Sequence, residues 1–99
     1  MSEKFSTVAD LLGDPARWCQ GEYAMDDVGI RTTPRGDRAV RWCLVGGVEV
    51  IYGYQTPEAE AALSRLRSAI GGKHFLQWWN DAKDRRHEDV IEACKKAGV

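Results

Sequence analysis

Apolar positions along this chain recur mostly at helical spacing. Val8, Leu11 and Leu12 share one face of residues 7–13, and Gly13 ends the run, which predicts a short helix. Asp14-Pro15 then restarts a turn, with Asp as N-cap and Pro at the first helical position, and carries Trp18 inward. The plainest helix follows Thr56. Thr56 caps it, Pro57 opens it, and Glu58 and Glu60 suit the positive end of its dipole. Ala59, Ala62, Leu63, Leu66, Ala69 and Ile70 form its stripe, and Gly71-Gly72 stops it. Residues 75–79 make a short aromatic segment. Asp84 is then placed to cap a last helix running to about Ala97 and closed by Gly98. His87, Val90, Ile91, Cys94 and Ala97 lie on its inward face.

Two segments break this pattern. In residues 21–33, Glu22-Tyr23-Ala24-Met25 and Ile30-Arg31-Thr32 read as two arms of a small hairpin turning at residues 26–29. Thr33-Pro34-Arg35-Gly36-Asp37 reads as a loop ending in an N-cap. Residues 38–53 admit two readings. As strands, residues 40–45 and 48–52 turn at Gly46-Gly47. As a helix, Val40, Cys43, Leu44, Gly47, Val48 and Ile51 share a face, and the two glycines cost about 1 kcal/mol each unless they permit close packing.

The length, 99 residues, corresponds to one domain with one thin core. Four tryptophans give that core large anchors, and Trp18, Trp42 and Trp79 each fall beside an apolar stripe, so one cluster is expected. The net charge of −1 argues against bulk binding to nucleic acid. The charge is uneven, however. Residues 1–30 carry two basic and six acidic groups, whereas residues 31–41 carry Arg31, Arg35, Arg38 and Arg41 against Asp37. That run is either a solvated face or a patch for an anionic ligand or partner, with Arg38 and Arg41 as candidates. Residues 1–4 lead into a polar start, so no signal peptide is expected, and no stretch has the length of a membrane span. Cys19, Cys43 and Cys94 are odd in number and lack C-x-x-C spacing, which suggests reduced thiols and a cytoplasmic protein.

Candidate chemistry is sparse. His87 lies in the first turn of the last helix, as a hydrogen-bonded structural histidine or as a ligand or base. Asn80-Asp81 either satisfies turn donors or, held against His87, fixes its tautomer. Cys43 is a small core residue or a thiol needing a nearby cation or helix N-terminus to activate it. His74 reads as a surface histidine. The histidines and cysteines lack zinc-site spacing, and there is no phosphate-binding glycine loop and no G-x-S-x-G, so no metal or cofactor is expected.

Four motifs occur in order: Trp18-Cys19-Gln20-Gly21-Glu22-Tyr23-Ala24, then Ala39-Val40-Arg41-Trp42-Cys43-Leu44-Val45-Gly46-Gly47, then Trp79-Asn80-Asp81, then His87-Glu88-Asp89-Val90-Ile91. Together they resemble the domain-of-unknown-function family numbered 6197, a family of small bacterial and phage proteins, from about Leu11 to Ala97. Its pattern is W-x-Q-G-x-x-A, W-C-L-x-G-A, W-N-D and T-H-x-x-V-L. Arg86 stands where the family has Thr, so capping is expected from Asp84 or Asp81. Gly46-Gly47 replaces a G-A pattern.

The resemblance implies that residues 38–52 form one helix, with Gly46 or Gly47 against a neighbouring backbone. It maps the polar signature to Gln20, Cys43, Asn80, Asp81 and His87. The expected architecture is a mainly α, compact bundle of four or five short helices with a small irregular or β-hairpin insertion near residues 21–33. Two functions stay open. One is a binding or adaptor module for a protein partner or small ligand, such as a phage or mobile-element accessory protein, with Gln20, Asn80, Arg38 and Arg41 as binding residues. The other is a small enzyme with a Cys43–His87–Asp81 thiol site or a His87 acid/base site. Either way, His87, Asp81 and Asn80 are expected to form one hydrogen-bonded unit facing a cleft near Gln20.

Overall fold

A short polar cap precedes each early turn of this fold. In the computed structural model, which describes residues 5–72 and 75–99, Thr7 Oγ1 accepts the Asp10 amide at 3.0 Å and opens α1 (Val8–Leu11). Asp14 accepts the Ala16 amide at 2.9 Å and opens a 3-10 turn, Pro15–Arg17. His74, read as a surface residue, lies outside the described residues.

The chain then runs extended. Trp18 bridges Trp42 in parallel, and the Cys19 amide donates to the Trp42 carbonyl at 3.0 Å. Strand β1 (Ala24–Met25) lies antiparallel on the other side of β2 (Arg41–Trp42), with Ala24 opposite Trp42 and Met25 opposite Arg41. The arm read at residues 30–32 does fold back, through an Arg31 bridge to Met25 and a 3.0 Å bond from the Thr32 amide to the Ala24 carbonyl. The Asp26 amide also donates to the Ile30 carbonyl at 2.9 Å, so the hairpin turns at residues 26–29 as read, and β1 pairs in addition with β2, sixteen residues further along the chain.

That pairing corrects the reading of residues 38–52 as one helix. The Val40 amide donates to the Met25 carbonyl at 2.9 Å and the Cys43 amide to the Tyr23 carbonyl at 3.2 Å, so this backbone is committed to strand pairing. Helix α2 (Leu44–Tyr52) starts only afterwards, and both glycines sit inside it rather than at a hairpin turn. Gly46 does meet a neighbouring backbone: a Cβ there would overlap the Tyr23 carbonyl oxygen. Asp37, read as an N-cap, precedes no helix.

Helix α3 (Pro57–Ala69) is built as its sequence reads, with Thr56 Oγ1 accepting the Ala59 amide at 3.0 Å. Helix α4 (Leu76–Asn80) follows. Helix α5 (His87–Ala97) begins two residues later than a cap at Asp84 would place it. Neither Asp84 nor Asp81 caps it. The Asp89 carboxylate reaches back to the Arg86 amide at 3.0 Å, the glutamate half of a capping box filled by aspartate. The Val99 carbonyl then accepts from the Val8 and Ala9 amides at 2.9 and 3.3 Å, tying the end of α5 to the start of α1.

Helix α2 packs on α1, α3 and α4, and α3 packs on α5. Leu11, Leu12, Leu44, Val48, Leu66 and Val90 are fully buried between them. Trp42 is buried in this cluster, and Trp18 and Trp79 pack against it half-buried, as their placement beside apolar stripes suggested. The whole is mainly helical, with five α-helices and one two-stranded antiparallel pair among the described residues. No helix among these residues is long and apolar enough to cross a membrane.

Candidate functional site

The Trp18–Cys19–Gln20–Gly21 run and the Trp79–Asn80–Asp81 run meet at one residue. Asn80 is completely buried and is the one buried polar side chain among the described residues. A parallel ladder in which Cys19 bonds to Trp42 would next pair the Leu44 amide with the Cys19 carbonyl. The Asn80 carboxamide occupies that rung. Its Nδ2 donates to the Cys19 carbonyl at 3.1 Å, and its Oδ1 accepts the Leu44 amide at 3.1 Å. Oδ1 also accepts the Trp18 indole N–H at 2.8 Å, and Nδ2 also donates to Asp81 Oδ1 at 2.9 Å. Two donors and two lone pairs are all used. Asn80 thereby closes the ladder and satisfies the first amide of α2, which has no partner inside the helix.

The network continues outward. Asp81 Oδ1 also accepts the Gly21 amide at 2.9 Å, where Gly21 sits at φ 90°. Asp81 Oδ2 accepts Gln77 Nε2 at 3.0 Å. The Cys43 thiol donates to Gln77 Oε1 at 3.2 Å, while its sulfur accepts the Gly46 amide at 3.3 Å and caps α2. Gln20 Nε2 donates to the carbonyls of Asn80 and Ala82, each at 2.9 Å. Sequence reasoning missed Gln77. The signal was its place four residues before Asp81, the helical spacing at which Gln and Asp bond.

Cys43 is fully buried, and burial pushes its thiol up to about 11 against the lowering effect of the Gly46 and Val45 amides. Burial likewise raises Cys19 to about 12, with Cys43 and Asp81 adding to it, and burial alone raises Cys94 to about 12. A thiol whose hydrogen is given to an amide oxygen has no base to remove it.

His87 is not part of the network. Its Nε2 lies 2.6 Å from the Leu12 carbonyl. A carbonyl only accepts, so Nε2 carries the hydrogen, and the bond pins the start of α5 to the end of α1. The expected His87–Asp81–Asn80 unit therefore forms only in its Asn80–Asp81 half. The intervening loop explains the separation. Arg85 Nε donates to the Trp79 carbonyl at 2.8 Å and its guanidinium stacks 3.8 Å above the Trp79 ring, which fixes the path of the chain before α5 begins. The His87 ring stands against Trp18 instead, centroids 6.2 Å apart. Arg41 donates to the Asp26 carbonyl at 3.3 Å and Arg38 is exposed on the loop before β2, so these two join neither Asn80 nor Gln20 directly.

Accessible concavities lie elsewhere. A groove of about 780 Å³ runs between the 33–36 turn and α2, lined by Tyr23, Pro34, Arg35, Val45, Glu49 and Tyr54. A neighbouring hollow of about 420 Å³ shares Tyr23, Thr33 and Pro34 with it and adds Glu22 and Arg31. The Trp42 indole donates to the Pro34 carbonyl at 2.8 Å and so fixes the groove wall from the core. Glu49 is half-buried at the groove, where burial raises its carboxyl against the opposing pull of Arg35 at 3.8 Å. Gln55, at the lip, holds φ 57°, the left-handed conformation that non-glycine residues seldom take. Among the described residues, no group of three or more His, Cys, Asp or Glu is placed to hold a metal ion.

One family model spans nearly the whole chain, the residues gathered around Asn80 included. A model described as a family of unknown function, DUF6197, matches residues 1–98, and the chain belongs to that family. No curated protein and no solved structure matches it.

Proposed function

We propose that this chain is a binding or adaptor module rather than an enzyme. One observation carries the reading: the hydrogen bonds of Gln20, Cys43, Asn80 and Asp81 run to one another, to Gln77, to the Trp18 indole and to the backbone. A nucleophile needs a base within hydrogen-bond reach, and the Cys43 hydrogen goes to Gln77 while His87 serves Leu12. The signature then marks what holds the scaffold, and recognition falls to the surface. Thiols kept buried and protonated suit a reducing compartment, so the cytoplasm is the setting we propose. An accessory role in a bacterium or phage, acting on a protein partner or a small ligand, is the context the family resemblance offers.

Alkylation of the folded protein by iodoacetamide at neutral pH, read by mass spectrometry, tests this. Cys43 should react only at the rate of global unfolding. Rapid stoichiometric modification of Cys43 in the folded protein, suppressed by His87→Ala, would overturn this reading in favour of an activated Cys43–His87 thiol site.

A further inference from the structure

We infer that the groove between the 33–36 turn and α2 docks an extended acidic peptide segment of a partner protein, with proline or apolar residues between its carboxylates. This rests on the binding reading above and adds the surface and the chemistry of the partner.

The floor is apolar and exposed. Tyr23 and Tyr54 keep 53% and 57% of their surface in solvent at one groove, with Pro34 and Val45 beside them. Tyrosines give large contact area for little lost freedom, and aromatic-lined grooves accept extended, proline-containing chain.

The exposed rim is cationic: Arg31, Arg35 and Arg38 stand exposed, whereas Glu22 and Glu49, which line the same hollows, are half-buried. Arg35 and Arg31 border the two connected hollows, and Arg38 lies on the same loop. Residues 31–38 carry these three arginines against Asp37 in a chain whose net charge is −1, so the attraction for anions is local, while Arg41 is turned to the Asp26 carbonyl. The Arg35 side chain is 60% exposed and meets Glu49 only at 3.8 Å, which leaves its N–H fork available to an incoming carboxylate.

The occupant is a peptide rather than a nucleic acid. Glu22 and Glu49 line the same hollows, and a phosphate backbone brings a charge at every nucleotide that must pass them. A peptide spaces its carboxylates to meet the arginines and sets apolar residues opposite the glutamates. The wall is also fixed in advance. The Gly36 amide closes the turn onto the Thr33 carbonyl at 3.0 Å, and Trp42 holds Pro34, so docking orders little of this protein.

A random dodecapeptide phage library, selected on the immobilised full chain and counter-selected on a Tyr23→Ala, Arg35→Glu, Tyr54→Ala triple variant, tests the assignment. Arg35→Glu and Tyr54→Ala, both at exposed side chains, are also made singly, and thermal melts check that each variant folds. Recovered peptides should be rich in Asp and Glu interleaved with proline or apolar residues. In fluorescence anisotropy each single variant should weaken them about tenfold, equivalent to about 1.4 kcal/mol. High salt should weaken them too, and their amide counterparts should not bind. A basic or uncharged consensus, no enrichment, or equal competition by oligothymidylate overturns the proposal. Peptides that bind the triple variant equally well also overturn it while leaving a binding module elsewhere on the surface. The binding reading itself falls separately, by Cys43 alkylation in the folded state.

Discussion

Asn80→Ala should destabilise this protein more than its small change in side-chain volume suggests. The substitution removes a carboxamide with four hydrogen bonds and leaves the Leu44 amide and the Cys19 carbonyl facing a space with no partner. Each buried group orphaned in this way costs about 1–3 kcal/mol. The Trp18 indole and Asp81 lie nearer solvent and recover part of their loss in water. The total is then about 3–5 kcal/mol, a large share of the stability of a small domain. Asn80→Asp separates hydrogen bonding from shape. A carboxylate there would point an acceptor at the Cys19 carbonyl and Asp81 Oδ1, both acceptors themselves. The buried acid therefore holds its proton, and its folded pKa rises above the unfolded value of about 3.9. Below that unfolded value the unfolded chain keeps its proton as well and nothing is lost. As pH rises past it, the unfolded state releases a proton that the folded state retains, and stability falls. Urea titrations followed by tryptophan fluorescence should find Asn80→Asp far closer to wild type in acid than at neutral pH. A loss below about 1 kcal/mol for Asn80→Ala, or no pH dependence for Asn80→Asp, would refute the bridging role.

Three further outcomes follow from single positions. Gly46→Ala should lower stability by about 1–3 kcal/mol in the same titration, because its Cβ must displace the Tyr23 carbonyl; an unchanged midpoint would contradict that approach. Cys94, raised from 9.0 to about 12 by burial, gives stability present in full below pH 9.0 and lost at about 1.4 kcal/mol per pH unit as pH rises toward its folded value. Cys94→Ala should therefore show a shallower alkaline decline than wild type. Asp89, lowered first by its bond from the Arg86 amide, stabilises above its ordinary value of 3.8 and loses that contribution as pH falls through the folded value. Asp89→Asn should flatten the acid limb of the thermal melting curve and leave the neutral-to-alkaline slope alone.

Helices with local signals were legible in the sequence. Thr56-Pro57 and the glycine pair after Ile70 bound α3 without help from any distant residue. The segment before α2 was not legible, because its conformation is set by partners far along the chain. Val40–Cys43 alternates and recurs well enough for either period, and only pairing with residues 23–25 selects strand. The same holds at the site. The Trp18, Cys43 and Asn80-Asp81 motifs were visible as uncommon side chains, but Asn80 filling a ladder rung requires knowing that Cys19 and Leu44 are neighbours. His87 was rightly read as inward-facing, yet its partner, Leu12, lies 75 residues earlier in an unremarkable apolar run. The groove left little trace, because Tyr23, Pro34 and Tyr54 follow no common period.

The most direct test of the central claim is hydrogen exchange at the Trp18 indole N–H and the Leu44 amide, the two donors held by Asn80 Oδ1. If the Asn80 network fastens the scaffold, the Leu44 amide exchanges only on global unfolding, and the Trp18 indole is the most protected of the four tryptophan indoles or shares that place with Trp42. If Asn80 instead belongs to an open reaction centre, both protons exchange through local opening, far faster than the core amides of α3 and α5, and the structural reading of the signature residues is wrong.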